Sequence, residues 1–200
     1  TNKFKNILFE KIAFTSLNEY KLTLKDTKEK KINAFVNFPR RGFKFYKNIK
    51  AKLIKQGSIS YSLIGSNWGF ASNSLHNIDL FVYLTQNTKL VLDSFKIEKI
   101  IKSKKRKGYI DINGSITLKN NKNDFMILND FSSSPALTNI LNGAIKIETF
   151  KKSFLIYENL GKLVEINNID LSIKKYNIKI PFQSNLTDKF IFKLITQKIS

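Results

Sequence analysis

One dense group of cations, at a fixed place between two apolar runs, limits this chain's fold more than any other feature. Five of the six residues in Lys102-Ser-Lys-Lys-Arg-Lys107 are basic. The apolar run Leu90-Val-Leu-Asp-Ser-Phe-Lys-Ile precedes them, and Gly108 with the alternating Tyr109-Ile-Asp-Ile follows. Cations packed this closely cannot enter a core without partners. The segment is therefore expected to be a protruding tip between two strands. A basic tip of this kind suits insertion between phosphates.

The charge of the whole chain sharpens that reading. Its 35 basic and 15 acidic residues leave a formal charge of +20 over 200 residues. Residues 1–57 carry +11, 58–95 carry −1, 96–107 carry +6 and 108–200 carry +4. Two basic blocks thus flank a nearly neutral segment, whereas an ordinary solvated surface mixes its signs. Self-repulsion on this scale weakens a compact state. A polyanionic partner is the expected compensation, nucleic acid before anionic membrane. The 42% apolar content supports one domain with a real core. No cysteine is present, which removes disulfides, thiolate metal sites and a cysteine nucleophile. No apolar run of membrane-spanning length and no secretory leader is expected.

Along the chain, Ile7, Leu8, Ile12 and Phe14 suggest a short helix, and Asp26-Thr-Lys-Glu-Lys-Lys31 a solvated turn. Asn37-Phe-Pro-Arg-Arg-Gly42 is a break. Phe45, Tyr46, Ile49, Leu53 and Ile54 recur at helical spacing within Phe43–Gln56, with Gly57 placed as a cap. Lys44, Lys47, Lys50, Lys52 and Lys55 fill the other face, Arg40 and Arg41 stand upstream, and no acidic residue lies between 30 and 56. That face is either ordinary solvated surface or a phosphate-binding one.

Ser58–Ile64 alternates as a strand and runs into Gly65-Ser-Asn-Trp-Gly69, whose Trp68 can stack on a base or serve as a buried anchor. Ser74 is the expected N-cap of a helix reaching Leu84. Ile110, Ile112, Ile116 and Leu118 alternate across Asn113-Gly114, a predicted bulge or turn. Asp124–Phe131 is expected to be a short helix. Strand patterns follow at Ala144–Ile147, Ser153–Tyr157, Ile169–Ile173 and Tyr176–Ile180. The expected fold class is α+β: a single domain with an antiparallel β-sheet and helices packed on one side.

Motifs for chemistry are few. Gly65-x-x-x-Gly69 lacks the lysine of a phosphate loop. His76, the sole histidine, has no serine elbow nearby and reads as a satisfied surface or core residue. Asp124, Asp130, Glu148 and Glu158 are scattered. The residues predict no catalytic centre, no metal site and no cofactor.

From about residue 43 to 176 the order of features resembles the 5S-rRNA-binding protein family of the large ribosomal subunit. The resemblance is carried by Phe43–Gln56 leading to Ile64-Gly-Ser-Asn-Trp-Gly69, by Leu84-Thr-Gln-Asn-Thr-Lys89, by Arg106-Lys107-Gly108 and by Gly114-Ser-Ile-Thr-Leu-Lys119 before Asp124-Phe-Met-Ile-Leu. Phe154-Leu-Ile-Tyr-Glu158 and Asn168–Ile173 match its last strands. The resemblance implies a non-enzymatic structural protein with 1–42 as a basic N-terminal extension and 43–200 as an RNA-binding domain. Its implied partners are large-subunit rRNA, 5S rRNA, P-site tRNA and neighbouring ribosomal proteins, with no membrane contact. Arg40, Arg41, Lys44, Lys47, Lys50, Lys52, Lys55 and Trp68 would then meet rRNA, and Lys102, Lys104, Lys105, Arg106 and Lys107 would meet tRNA. The Lys-, Ile-, Asn- and Phe-rich composition fits A/T-rich codons, which places such a protein in a mitochondrial matrix ribosome, another organelle or an AT-rich bacterium. The alternative is a basic β-rich protein on an anionic membrane or lipid, which needs an exposed apolar stripe.

Overall fold

The computed structural model describes residues 4–102, 108–131 and 143–196. These form two compact units, one from 1–42 with 181–200 and one from 43–180.

In the first unit, strand β1 (Asn6–Phe9) is joined through helix α1 (Leu17–Glu29) to strand β2 (Asn33–Val36), and the two strands pair in parallel. Parallel neighbours need a crossover, which α1 supplies. Its start is fixed locally: Ser16 Oγ accepts from the Glu19 amide at 3.2 Å, while Glu19 accepts from the Thr15 amide at 2.9 Å. This reciprocal arrangement is close to a capping box. Asn6–Phe9 is thus a strand and not the expected short helix, and Asp26–Glu29 is the last turn of α1 and not a loop. The Lys11–Ile12 peptide bond is cis. Helix α4 (Gln183–Thr196) belongs to the same unit, with Phe190 packed edge-on to Phe35 at 5.3 Å. Asn37 ties the unit together, donating to Glu10 at 2.7 Å and to Thr187 at 3.2 Å.

The second unit is built on an eight-stranded sheet. Helix α2 (Lys44–Leu53) leads into β3 (Ser60–Ser66), and α3 (Phe70–Thr85) follows. The remaining strands are β4 (Leu90–Lys102), β5 (Ile110–Asn120), β6 (Phe125–Phe131), β7 (Ala144–Glu148), β8 (Lys152–Tyr157), β9 (Lys162–Asn167) and β10 (Ile173–Asn177). The spatial order is β10-β9-β8-β7-β3-β6-β5-β4. Every pair is antiparallel except β3 with β6. The α+β class with a mostly antiparallel sheet and helices on one side is therefore the observed one.

Alternation explains which face is covered. Tyr61, Leu63, Met126, Leu128, Ile145, Ile147, Phe154, Ile156 and Leu163 are buried on one face, where Tyr46, Ile49 and Leu53 of α2 and Leu80, Phe81 and Leu84 of α3 complete the core. At about 25 cal/mol per Å² of apolar area removed from water, aromatic residues such as Tyr46, Tyr61 and Phe154 dominate that gain.

Two sequence expectations need correction here. Phe125–Phe131 is a strand and not a helix, because Met126, Leu128 and Asp130 face the core while Phe125, Ile127 and Asn129 alternate with them. Helix α3 begins at Phe70, and Ser74 is not its cap: Ser74 Oγ donates back to the Phe70 carbonyl at 2.5 Å.

The predicted irregularity at Asn113-Gly114 is a bulge. Opposite these two residues, β4 shifts register between Ile97 and Lys99, leaving Glu98 as the extra residue. Gly114 is required there, since a Cβ would fall 2.1 Å from the Lys96 carbonyl oxygen. Replacing Gly114 with alanine is expected to destabilise the unit by about 2–3 kcal/mol. Denaturant melts of the variant check this; an unchanged midpoint would contradict it.

Candidate functional site at helix α3

Helix α3 collects the polar groups best suited to chemistry. It is entered through a loop that the core strand β6 holds in place. Asp130, fully buried, accepts from the Asn67 amide at 2.6 Å, the Gly69 amide at 3.2 Å and the Asn113 side chain at 3.2 Å. Burial pushes the Asp130 carboxyl above the usual carboxylate range, and these hydrogen bonds offset only part of that rise. Gly69 takes a left-handed conformation with φ of 82°, and Asp111 of β5 accepts from the Ala71 amide at 2.8 Å. Two carboxylates from distant strands thus supply the cap that a local serine was expected to give.

The orientation of α3 is locked from inside. Tyr61 of β3 donates to Asn77 at 2.7 Å, and both side chains are fully buried. With Asn77, Leu80, Phe81 and Leu84 toward the sheet, His76, Asp79 and Tyr83 form an adjacent stripe at spacings of three and four residues. His76 and Tyr83 are half-buried, and Asp79 is buried. The Lys50 ammonium of α2 sits 3.9 Å from the centre of the Tyr83 ring. The stripe therefore joins a histidine, a carboxylate, a phenol and a nearby ammonium on one flank of a rigid helix. A histidine can take or give a proton near neutral pH, and a carboxylate one turn away can orient it. Sequence reasoning set His76 aside because no motif surrounds it; its helical spacing from Asp79 was the signal available.

The residues singled out from the sequence do not form one phosphate-binding face. Lys50 is engaged with Tyr83, and Lys52 pairs with Glu165 of β9. Lys44 and Lys47 of the same helix are exposed, as is Lys55 in the turn beyond its end at Leu53; Arg41 is exposed and Arg40 half-buried. Trp68 is an anchor: its indole donates to the Asn129 carbonyl at 2.9 Å and its ring lies 5.4 Å from Phe70. Lys102 ends β4 and is exposed, whereas Lys104, Lys105, Arg106 and Lys107 lie outside the described residues.

The connection from β1 to α1, residues 10–16, contains no glycine. It cannot offer the close backbone approach that a dinucleotide pyrophosphate needs at such a turn. The described residues do not themselves fit that part of a nicotinamide cofactor.

The fold is shared with solved structures of oxidoreductases and of a transcriptional regulator. A dehydrogenase (MviM) from Clostridium difficile matches with a TM-score of 0.67 at 15% identity, covering 95% of this chain and 63% of that one. A Gfo/Idh/MocA family oxidoreductase from Vibrio cholerae matches with a TM-score of 0.63 at 12% identity, over 96% and 63% of the two chains. An oxidoreductase from Agrobacterium radiobacter in complex with NAD+, L-tartaric acid and magnesium gives 0.65 at 12% identity, over 94% and 63%. The transcriptional regulator Gal80p shares the fold. The chain thus spans less than two thirds of the length of these proteins. No protein-family model matches the sequence, and no curated relative does.

This fold overturns the ribosomal resemblance. The short motifs behind it occur in a different architecture: the supposed aromatic helix at Asp124–Leu128 is part of a core strand, and Leu84–Lys89 is a helix end and the turn into β4. The expected partners fall with it, namely large-subunit rRNA, 5S rRNA, P-site tRNA and ribosomal proteins. So do the structural, non-enzymatic role and the membrane-surface alternative.

Proposed function

We propose that this chain forms the substrate-side portion of an oxidoreductase-type protein, with the His76–Asp79–Tyr83 stripe of α3 facing a small hydroxylated or carbonyl compound. The observation that carries this reading is the fold, shared over 95% of the chain with a dehydrogenase at a TM-score of 0.67. In this role His76 exchanges the proton of the reacting hydroxyl, Asp79 orients the imidazole, and Tyr83 with Lys50 makes the flank attractive to a carboxylate or polarised oxygen. Hydroxy acids are the first class to test, because the Agrobacterium neighbour binds L-tartaric acid.

The test is turnover by the full-length protein with hydroxy acids and polyols in the presence of NAD+ or NADP+. His76→Ala is expected to lower kcat about a hundredfold or more, the usual worth of a general base. Asp79→Asn should lower it less and shift its pH profile. Binding without turnover in every case would favour a regulator like Gal80p and overturn the enzymatic reading.

A further inference from the structure

A concavity lies in the 43–180 unit, between α2 and strands β8–β10, lined by residues that the α3 site does not use. Its volume is about 260 Å³, the liquid volume of roughly nine water molecules. Phe45, Ile49, Phe154 and Leu163 form an apolar floor, each no more than 7% exposed. The rim is cationic, with Lys44, Lys52 and Lys179 opening onto the space. Lys44 and Lys179 make no ion pair among the described residues.

Lys52 is held differently. Glu165 rises from β9 with its side chain only 7% exposed and is bound by Lys52, by Lys152 at 2.9 Å and by the Tyr176 hydroxyl at 3.1 Å. Its charge is therefore balanced inside the protein, and it fixes the position of Lys52. At the other end Phe43 gives α2 no side-chain cap, so the helix's first amides add a positive field beside Lys44. An apolar floor rimmed by lysines is the pattern of a site for an anion with a hydrocarbon body.

We propose that this cavity binds a small amphiphilic carboxylate, its apolar part on Phe154 and Leu163 and its carboxylate between Lys44 and Lys179. Charge complementarity selects this occupant. A purely apolar molecule would leave two unpaired ammonium groups over its edge, and a compact inorganic anion would leave the floor wet.

The proposal is tested by titrating the full chain with octanoate, octanol and inorganic phosphate, following backbone amide shifts and calorimetry. Octanoate is expected to perturb the first turn of α2 and β9–β10, and to bind at least tenfold more tightly than octanol or phosphate. Lys44→Ala/Lys179→Ala should weaken octanoate tenfold or more while leaving octanol affinity and the melting temperature unchanged. Equal affinity for octanoate and octanol, saturation by phosphate alone, shifts confined to other elements, or indifference to the double substitution would each overturn it. Because these shifts fall outside α3, failure here leaves the oxidoreductase reading standing, and the converse also holds.

Discussion

Asp130→Ala is expected to lower the stability of the 43–180 unit by about 3–4 kcal/mol, among the largest effects of any single substitution in it. The carboxylate is fully buried on β6 and accepts from two backbone amides and one side-chain amide. Truncation strands these donors, each at roughly 1–3 kcal/mol, while removing the cost of burying the carboxylate itself. Asp130→Asn keeps the shape and one carbonyl oxygen, so it should lose about half as much. The same loop carries Trp68, whose indole reports the change directly. Denaturant titrations followed by tryptophan fluorescence should show a lower midpoint and a red-shifted native spectrum for the alanine variant. A midpoint equal to that of the parent would show that the loop does not depend on this carboxylate.

The second large effect is a loss of stability in acid that belongs to Glu165. Burial alone would raise its carboxyl, but hydrogen bonds from Lys52, Lys152 and Tyr176, with the Lys52 charge, hold it down at about 2. The usual value is 4.5, so the folded state binds protons less readily than the unfolded chain. The stabilisation is complete above pH 4.5 and disappears as the pH falls toward 2. A shift of this size corresponds to about 3 kcal/mol. Asp130 works in the opposite sense: its raised carboxyl disfavours the folded state when ionised, so its contribution improves as the pH falls. Glu165→Gln isolates the first effect. It should lower stability at neutral pH and flatten the dependence between pH 4.5 and 2; an equally steep acid limb in the variant would refute the assignment.

Much of the fold was legible where one physical signal acted alone. The apolar spacing of Phe45, Tyr46, Ile49 and Leu53 gave α2, and alternation gave β3, β5, β7 and β8, because a half-buried element writes its period into the sequence. Phe125–Phe131 failed because both of its faces carry apolar side chains in the middle of the sheet, so the strand loses its alternation. Helix α1 was missed for the opposite reason, since among its thirteen residues only Thr27 is buried. The strands β1 and β2 are four residues each and owe their form to pairing with one another.

The candidate site was harder to see. His76 and Asp79 are ordinary residues three apart until α3 is known to begin at Phe70 and to turn Asn77 inward. Its cap comes from Asp111 and Asp130, forty or more residues away in sequence, a distance no local motif records. The lysines of α2 misled in a different way. Lys50 and Lys52 read as a solvated or phosphate-facing stripe, yet one covers Tyr83 and the other neutralises Glu165.

If the flank of α3 bearing His76, Asp79 and Tyr83 holds the small molecule on which the protein acts, that molecule must alter the surroundings of the imidazole. The most direct measurement is the ring proton resonance of His76, unique in this chain, during titration of the full chain with L-tartrate, related hydroxy acids and polyols. At least one of them is expected to shift the His76 resonance saturably and to change its titration with pH, and Asp79→Ala is expected to abolish the response. A His76 resonance that stays fixed and titrates identically with every compound would contradict it.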